Sequence, residues 1–143
     1  MEIAIIADDA KKELMAQFCI AYCGILSRHN LYATQITGKY IADATGLPIE
    51  CLLPGEIGGV EQIASRIAYN EIDMLLFFRD RTEHTDWDAD RELLRECDLN
   101  NVPVATNIAT AEVLVLALER GNLDWREIVN PRSDYNRRRK GQL

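Results

Sequence analysis

Met74-Leu75-Leu76-Phe77-Phe78 is the clearest strand signal in the chain, because five apolar residues stand uninterrupted between Asp73 and Arg79. A short apolar run bounded by charged residues is typical of a parallel strand that is buried on both faces of a sheet. Glu2 to Ala7 form a second run of this kind near the start of the chain. The sequence therefore predicts a sheet that is covered on both sides.

The rest of the chain alternates short apolar runs with longer segments of helical periodicity. This alternation predicts repeated βα units and a mainly parallel sheet. Further strands are predicted at 31–34, 49–53 and 102–106, and helices at 11–27, 38–44, 59–70, 90–99 and 109–120, with Gly121 at the end of the last helix. We expect a three-layer α/β fold with a five-stranded, mainly parallel sheet and helices on both faces.

The length and composition fit one soluble domain. With 143 residues, of which 48% are hydrophobic and 27% charged, the chain can build a single core. No apolar stretch approaches the roughly 18 to 20 residues that cross a bilayer, and the first residues lack the features of a signal peptide. We expect a cytoplasmic protein whose cysteines stay reduced and form neither disulfides nor a metal site: Cys19, Cys23, Cys51 and Cys97.

Charge is unevenly distributed along the chain. The formal net charge is −7, but residues 130–143 hold five basic side chains and one acidic one. Residues 1–129 therefore hold 11 basic and 22 acidic side chains, a net charge of −11 that argues against general binding of nucleic acid. We divide the chain into an α/β domain at 1–129 and a basic tail at 130–143, which either stays solvated or contacts an acidic partner or a phosphate.

Candidate ligand-binding residues follow the predicted strands, since ligands of parallel sheets bind at the carboxyl ends of the strands. Hydroxyls, glycines and helix starts at these points can hold a small anion or phosphate, although they also make ordinary caps and turns. Adjacent side chains of an extended segment point to opposite faces, so we expect only one of Asp8 and Asp9 to face a ligand. The other positions are 34–38, 54–59, 79–80 and 106–107.

Four motifs make the sequence more specific. They are Ile-Ala-Ile-Ile-Ala-Asp-Asp-Ala-Lys-Lys at 3–12, Leu-Tyr-Ala-Thr-Gln-Ile-Thr-Gly at 31–38, Gly-Glu-Ile-Gly-Gly-Val-Glu-Gln-Ile at 55–63 and Pro-Val-Ala-Thr-Asn-Ile-Ala-Thr-Ala-Glu at 103–112. In this order and spacing they resemble the methylglyoxal synthases, over about residues 2–129. The resemblance implies a homohexamer that converts dihydroxyacetone phosphate to methylglyoxal and phosphate without a metal or an organic cofactor.

Several residues match family positions that have roles in this chemistry, which needs a base, donors to an enediolate oxygen and a phosphate cradle. Asp9, Asp80 and Asp90 match carboxylates and are the candidate catalytic residues. Lys12 matches the phosphate-binding lysine. The candidate phosphate-binding set is Lys12, Thr34, Thr37, Gly38, Gly55, Gly58, Gly59 and Asn107.

Departures from the family fall where the chemistry takes place. The family's catalytic aspartate directly follows Gly-Gly, where this chain has Val60, and its loop histidine is replaced by Trp87. A valine cannot accept a proton, and general-base catalysis is typically worth about 10²- to 10⁴-fold. Glu61 is adjacent, but successive helix positions are turned by roughly 100°. Three further replacements put Asp8, Ile36 and Pro54 where the family has a histidine, a threonine and a serine.

Three functions stay open at this point. The departures favour a protein that keeps a pocket for a small phosphorylated or nucleotide-like ligand and acts by binding, sensing or sequestering it. The first alternative is a lyase that acts on dihydroxyacetone phosphate or a related sugar phosphate. The second alternative is an oligomeric interaction protein.

The long segment after the fourth predicted strand offers other candidates. His84 could replace the missing histidine, but it lies three residues early and an exposed loop histidine is the simpler interpretation. Trp87 could stack on a planar ligand beside Arg79 or Arg81, or pack the loop against the body. Near the end of the chain, we expect Trp125 to fix the last segment to the body.

Overall fold

The computed structural model describes residues 1–82, 87–130 and 134–141. In this part of the chain five strands form one sheet in the order β3-β2-β1-β4-β5, and every neighbouring pair is parallel. The strands are β1 Glu2–Ala7, β2 Asn30–Ala33, β3 Ile49–Cys51, β4 Met74–Phe78 and β5 Val104–Ala105. The two apolar runs that predicted buried strands are thus the neighbouring central strands β1 and β4.

Helices cover both faces of the sheet, and the predicted three-layer α/β fold is confirmed. The helices are α1 Lys12–Ala21, α2 Cys23–Leu26, α3 Gln35–Thr45, α4 Gly59–Ala68, α5 Trp87–Leu99, α6 Ile108–Glu119, α7 Trp125–Val129 and α8 Asp134–Arg139. Ile3 and Ile5 of β1 pack in one core with residues of α1, α3 and α6, and Ala4 and Ile6 pack in a second core with residues of α4 and α5. The alternation of side chains along a buried strand therefore builds both layers.

Some predicted boundaries were wrong. The single helix expected at 11–27 is broken at Tyr22, whose backbone (φ −109°, ψ 22°) leaves the helical conformation before α2 begins. Helix α3 begins at Gln35, three residues earlier than predicted, so Thr37 and Gly38 lie inside its first turns. Helix α5 begins at Trp87 rather than at residue 90, and β5 has only two residues. Gly121 follows α6 with a φ of +82°, as a glycine at a helix end should.

Arg126, rather than Trp125, fixes the last segment to the body. Trp125 is 46% exposed, which overturns the prediction made for it, whereas Arg126 is 1% exposed. The guanidinium donates to the carbonyl oxygens of Asn100 and Ile72, and its Nε lies 3.5 Å from Oδ1 of the buried Asp73. Burial of a charged group is stable only with such compensation, so this network ties α7 to the amino-terminal edge of β4.

Two further features of the body concern its thiols and its helices. Cys19, Cys23, Cys51 and Cys97 are all free thiols, and burial raises the pKa of Cys19 and of Cys97 to about 12. Among the helices of residues 1–82, 87–130 and 134–141, none is both long and apolar enough to span a membrane.

Candidate active site

A cavity of about 230 Å³ opens beyond the carboxyl ends of β1 and β2. The chain passes outward from β1 to β2 and β3 and then returns to the other side of β1 as β4, so the cavity lies next to the point where the strand order reverses. Such a point is the usual ligand site of an open parallel sheet. Its lining residues are Ile6, Ala7, Asp8, Asp9, Lys12, Thr34, Ile36, Thr37, Pro54, Gly55, Glu56, Val60, Phe77 and Asp90.

Two buried threonines form one wall. Thr37 lies in the first turn of α3, and its Oγ1 accepts a hydrogen bond from the backbone N–H of Ala7 at 3.3 Å. The hydroxyl of Thr34 donates to the same oxygen at 3.3 Å. Thr37 and Thr34 are 1% and 4% exposed, so these bonds fix the hydroxyls between β1 and the start of α3. Backbone N–H groups at a helix N-terminus such as that of α3 are suited to holding an anion.

Lys12 supplies a positive charge to the same wall. Its Nζ donates to the carbonyl oxygen of Ala7 at 2.9 Å and to Oδ1 of Asp9 at 2.7 Å. The Lys12 side chain is 12% exposed and that of Asp9 is 81% exposed. The cation is therefore held at the end of β1, while the carboxylate that pairs with it faces water.

The segment before α4 brings Val60 into the lining of the cavity. The carbonyl oxygen of Pro54 accepts hydrogen bonds from the N–H groups of Ile57 and Gly59, which closes a 3-10 turn at Gly55–Ile57. A Cβ on Gly59 would collide with the backbone of residues 53 and 54, so this close approach requires glycine. Val60 is 8% exposed and packs in the core beneath α4 and α5. An apolar side chain thus continues the core into the cavity.

Asp90 is the buried carboxylate of the cavity. It lies in the first turn of α5, is 5% exposed, and its Oδ2 lies 3.9 Å from Nη2 of Arg79. The Arg79 guanidinium also lies over the ring of Phe77, 5.6 Å from its centroid. A nearby cation favours the charged form of a carboxylate, so Arg79 compensates part of the cost of burying Asp90.

Asp8 also lines the cavity, so the expectation that only one of the two adjacent aspartates would face it was wrong. Strand β1 ends at Ala7 and Asp9 begins a 3-10 turn, so the alternation of an extended strand no longer applies. Asp8 Oδ2 accepts a hydrogen bond from the backbone N–H of Asp80 at 2.8 Å. This bond joins the loops that follow β1 and β4.

The structure brings together most of the candidate residues but not all of them. Asp9, Asp90, Lys12, Thr34, Thr37 and Gly55 line the cavity with Val60. Asp80 is held instead by the hydroxyl and amide of Thr82, which keep the pKa of its carboxyl below the ordinary value. Asn107 caps α6 by accepting from the N–H of Thr110. Outside the lining are Asp80, Gly38, Gly58, Gly59 and Asn107.

Two loop candidates cannot be placed at the site. His84 and the side chain of Trp87 lie outside the described residues. Arg81 is exposed, and Arg79 contacts Asp90 and Phe77. Within residues 1–82, 87–130 and 134–141, no group of three histidine, cysteine or acidic side chains could hold a metal ion.

Sequence reasoning gave no individual role to four residues that line the cavity: Ile6, Ala7, Glu56 and Phe77. Ile6 and Phe77 form its floor, and they face it because alternate residues of β1 and β4 point towards the layer of α4 and α5. Glu56 lies in the 3-10 turn before α4 and also lines the cavity. Its place within the predicted ligand-end segment 54–59 was the available signal, but a single exposed glutamate carries no pattern of its own.

The chain is similar to known proteins over most of its length. Residues 15–106 match the model of the MGS-like domain family. The chain is 57% identical over 138 residues to a methylglyoxal synthase of Caldicellulosiruptor saccharolyticus, covering 96% of this chain and 98% of that protein. It is 54% identical over 129 residues to the methylglyoxal synthase of Thermoanaerobacter sp., covering 90% and 98%.

A solved structure extends the comparison to the fold. The crystal structure of methylglyoxal synthase from Elizabethkingia anophelis superimposes with a TM-score of 0.75 at 36% identity, covering 80% of this chain and 76% of that one. Sequence similarity over almost the whole length and a shared fold lead to one conclusion. The chain belongs to the methylglyoxal synthase family.

Proposed function

We propose that this protein is a lyase that removes phosphate from a small phosphorylated substrate, with dihydroxyacetone phosphate as the first candidate and methylglyoxal as its product. Relatives named methylglyoxal synthase at 57% and 54% identity support this alternative better than the binding interpretation that the sequence departures favoured. The observation that carries the proposal is one cavity that combines a lysine and two fixed hydroxyls with a buried carboxylate: Lys12, Thr34, Thr37 and Asp90.

The size of the cavity favours a triose phosphate over a nucleotide. Sites for drug-sized ligands commonly measure about 300 to 1,000 Å³, whereas this cavity measures about 230 Å³. We therefore infer that a compact phosphate ester is the substrate and that the nucleotide-like ligand is the weaker candidate.

The chemistry needs two groups that accept protons. One takes a proton from the hydroxymethyl carbon, and the C–H electron pair becomes the double bond of an enediolate. The other takes the hydroxyl proton while the C–O bond to phosphate breaks, and phosphate leaves with the electron pair. We assign one of these tasks to Asp90, because it is the buried carboxylate that lines the cavity.

Val60 supports a second candidate function. The position at which the family has its catalytic aspartate holds an aliphatic side chain that is 8% exposed, and no rotation of that side chain provides a proton acceptor. A chain with an intact phosphate cradle and no working base would bind a phosphorylated ligand and leave it unchanged. This binding protein is the alternative that the experiment must separate from the lyase.

The test is incubation of the purified chain with dihydroxyacetone phosphate, with methylglyoxal and free phosphate measured together. The lyase proposal expects equal amounts of both products, released in proportion to enzyme concentration and abolished in Asp90→Asn. Saturable binding of the substrate without either product would reject the lyase and support the binding protein. If the chain neither binds the substrate nor forms a product, both the lyase and the binding protein are rejected.

We also propose that the chain forms a homo-oligomer, for which the hexamer of the family is the first expectation. Several large apolar side chains are exposed on the single chain, among them Tyr69 at 73%, Ile57 at 67% and Val113 at 65%. Contacts between subunits are one way of covering such side chains. Light scattering during gel filtration measures the subunit number, and a monomer would reject this proposal.

A further inference from the structure

We propose that Glu56 is a catalytic residue that takes over the proton-accepting role which Val60 cannot perform. This inference rests on the proposed elimination reaction and assigns its missing base. The resemblance to the family gives Glu56 no role. The inference comes from its position in this structure.

Glu56 lies beside Val60 on the wall of the cavity. Both residues line it, and the 3-10 turn at Gly55–Ile57 holds the backbone of Glu56 at its edge. A Cβ built on the preceding Gly55 would lie 3.8 Å from Cγ2 of Val60 and 3.9 Å from Cγ2 of Thr34. Since consecutive Cα atoms are about 3.8 Å apart, the backbone of Glu56 begins close to Val60 and Thr34, and Glu56 lines the same cavity as both of them.

The other carboxylates of the cavity are less suited to this role. Asp9 is ion-paired with Lys12 and 81% exposed, and Asp8 accepts the backbone N–H of Asp80. Asp90 lies on the side of Arg79 and Phe77. Two carboxylates, Glu56 from the α4 side and Asp90 from α5, therefore approach a substrate whose phosphate is held at the Lys12 wall. Two proton acceptors are the number that the elimination requires.

The step balances without any further reactant. Glu56 takes the proton from the hydroxymethyl carbon, and the C–H electron pair forms the enediolate double bond. Asp90 takes the hydroxyl proton, the hydroxyl oxygen becomes the aldehyde oxygen, and the C–O bond to phosphate breaks. The proton on Asp90 passes to the departing phosphate, and the proton on Glu56 passes to the methylene carbon, which becomes the methyl group of methylglyoxal.

The experiment compares Glu56→Gln with Glu61→Gln as the matched control. Glu61 is also an exposed glutamate next to Val60, but it does not line the cavity. The full chain and both variants are incubated with dihydroxyacetone phosphate in D₂O, and two signals are followed by NMR. These are exchange of the hydroxymethyl carbon protons for deuterium and release of inorganic phosphate. Thermal unfolding and binding of inorganic phosphate check that both variants keep the folded cradle.

We expect Glu56→Gln to lower exchange and phosphate release together by about 100-fold or more, the typical range for loss of a general base, while Glu61→Gln stays within twofold of wild type. A wild type that exchanges the protons without releasing phosphate would reject the lyase. If Glu56→Gln then loses that exchange, the role of Glu56 as a proton acceptor is supported. Unchanged phosphate release in Glu56→Gln would overturn the role of Glu56 and leave the lyase standing. If the wild type shows neither exchange nor phosphate release, both the role of Glu56 and the lyase proposal are overturned.

Discussion

The ammonium group of Lys12 lies 2.7 Å from Oδ1 of Asp9 and 2.9 Å from the carbonyl oxygen of Ala7. The two contacts differ in kind, because the carbonyl belongs to the buried end of β1 and the Asp9 carboxylate faces water. A phosphate oxygen can therefore replace Asp9 without displacing the lysine from the strand. Four carboxylates and one lysine line the cavity, so we expect the charge of Lys12 to be decisive for binding an anion. The four carboxylates are Asp8, Asp9, Glu56 and Asp90.

Removing the charge of Asp9 should strengthen binding of inorganic phosphate. Asp9→Asn loses an ion pair of the surface type, worth roughly 0.2 to 1 kcal/mol, and a negative charge near the anion, so we expect about two- to fivefold tighter binding by titration calorimetry. Asp124→Asn, far along the chain and outside the cavity lining, is the control. Weaker binding in Asp9→Asn would mean that Asp9 itself holds the ligand.

Removing the charge of Lys12 should have the opposite effect. Lys12→Met keeps the aliphatic stem but loses a charged hydrogen bond worth about 1.5 to 3 kcal/mol, which corresponds to roughly 10- to 100-fold weaker phosphate binding. Lys11→Met removes the same charge one residue away, outside the cavity lining, and should change binding by less than twofold. Equal losses in both variants would indicate a general effect of charge instead of a specific contact.

Restoring an acid at residue 60 tests whether the phosphate cradle still supports elimination of phosphate. Val60→Asp places a carboxylate at the family's base position, so in the Glu56→Gln background, where the proposed base has been removed, we expect phosphate release to rise by about 10²- to 10⁴-fold. Val60→Asn has the same shape and polarity but cannot accept a proton, and it should give no gain. Because Val60 packs in a core, both variants should also unfold at a lower temperature than wild type. Equal rates in the two variants would contradict the prediction.

The central sheet could be predicted from sequence because its signal is local. Five apolar residues between Asp73 and Arg79 can form only a short buried element, and Gly58-Gly59 marked the start of α4 correctly. Placement of Thr37 at the cavity also followed, since parallel strands gather the residues that follow them at one edge of the sheet. Lys12 and Asp90, in contrast, were named only because they match positions of the family that the sequence resembles.

Other features depend on contacts that no local pattern records. Arg126 was missed because an isolated arginine in a polar segment is usually exposed, whereas its partners here are backbone carbonyls from distant turns. Glu56 was passed over because its importance depends on how the 3-10 turn places it beside Val60 on the wall of the cavity. Asp8 was misjudged because the side-chain alternation of an extended strand was assumed to continue past Ala7, where the predicted strand and β1 both end.

Removing one partner of the buried pair of Arg126 and Asp73 should strongly destabilise the fold. Arg126→Met leaves the Asp73 carboxylate in the core without its cation, and loss of one partner of a buried pair typically costs about 3 to 5 kcal/mol of unfolding free energy. Urea unfolding measures the change. Arg138→Met, in the exposed part of α8, is the control and should stay within about 0.5 kcal/mol of wild type. A loss below about 1 kcal/mol in Arg126→Met would show that the network is not needed for stability.

His29 should make the fold less stable in mild acid. Burial, followed by the nearby amino-terminal ammonium, lowers the pKa of His29 from 6.5 to about 4, and its Nδ1 lies 2.9 Å from that ammonium nitrogen. The unfolded chain therefore takes up a proton more readily than the folded one between these two values. The contribution to stability is complete above pH 6.5 and is lost as the pH falls towards 4. Since the ring is partly exposed, we expect the loss to be about 1 to 2 kcal/mol.

Chemical denaturation of wild type and of His29→Gln, at half-unit steps from pH 7.5 to 4, measures this loss of stability. Because the carboxylates titrate in both proteins, the difference between the two isolates the contribution of His29. The difference in unfolding free energy between them should change steadily between pH 6.5 and 4 and stay constant above 6.5. A constant difference over the whole range would show that His29 titrates alike in the folded and unfolded chains.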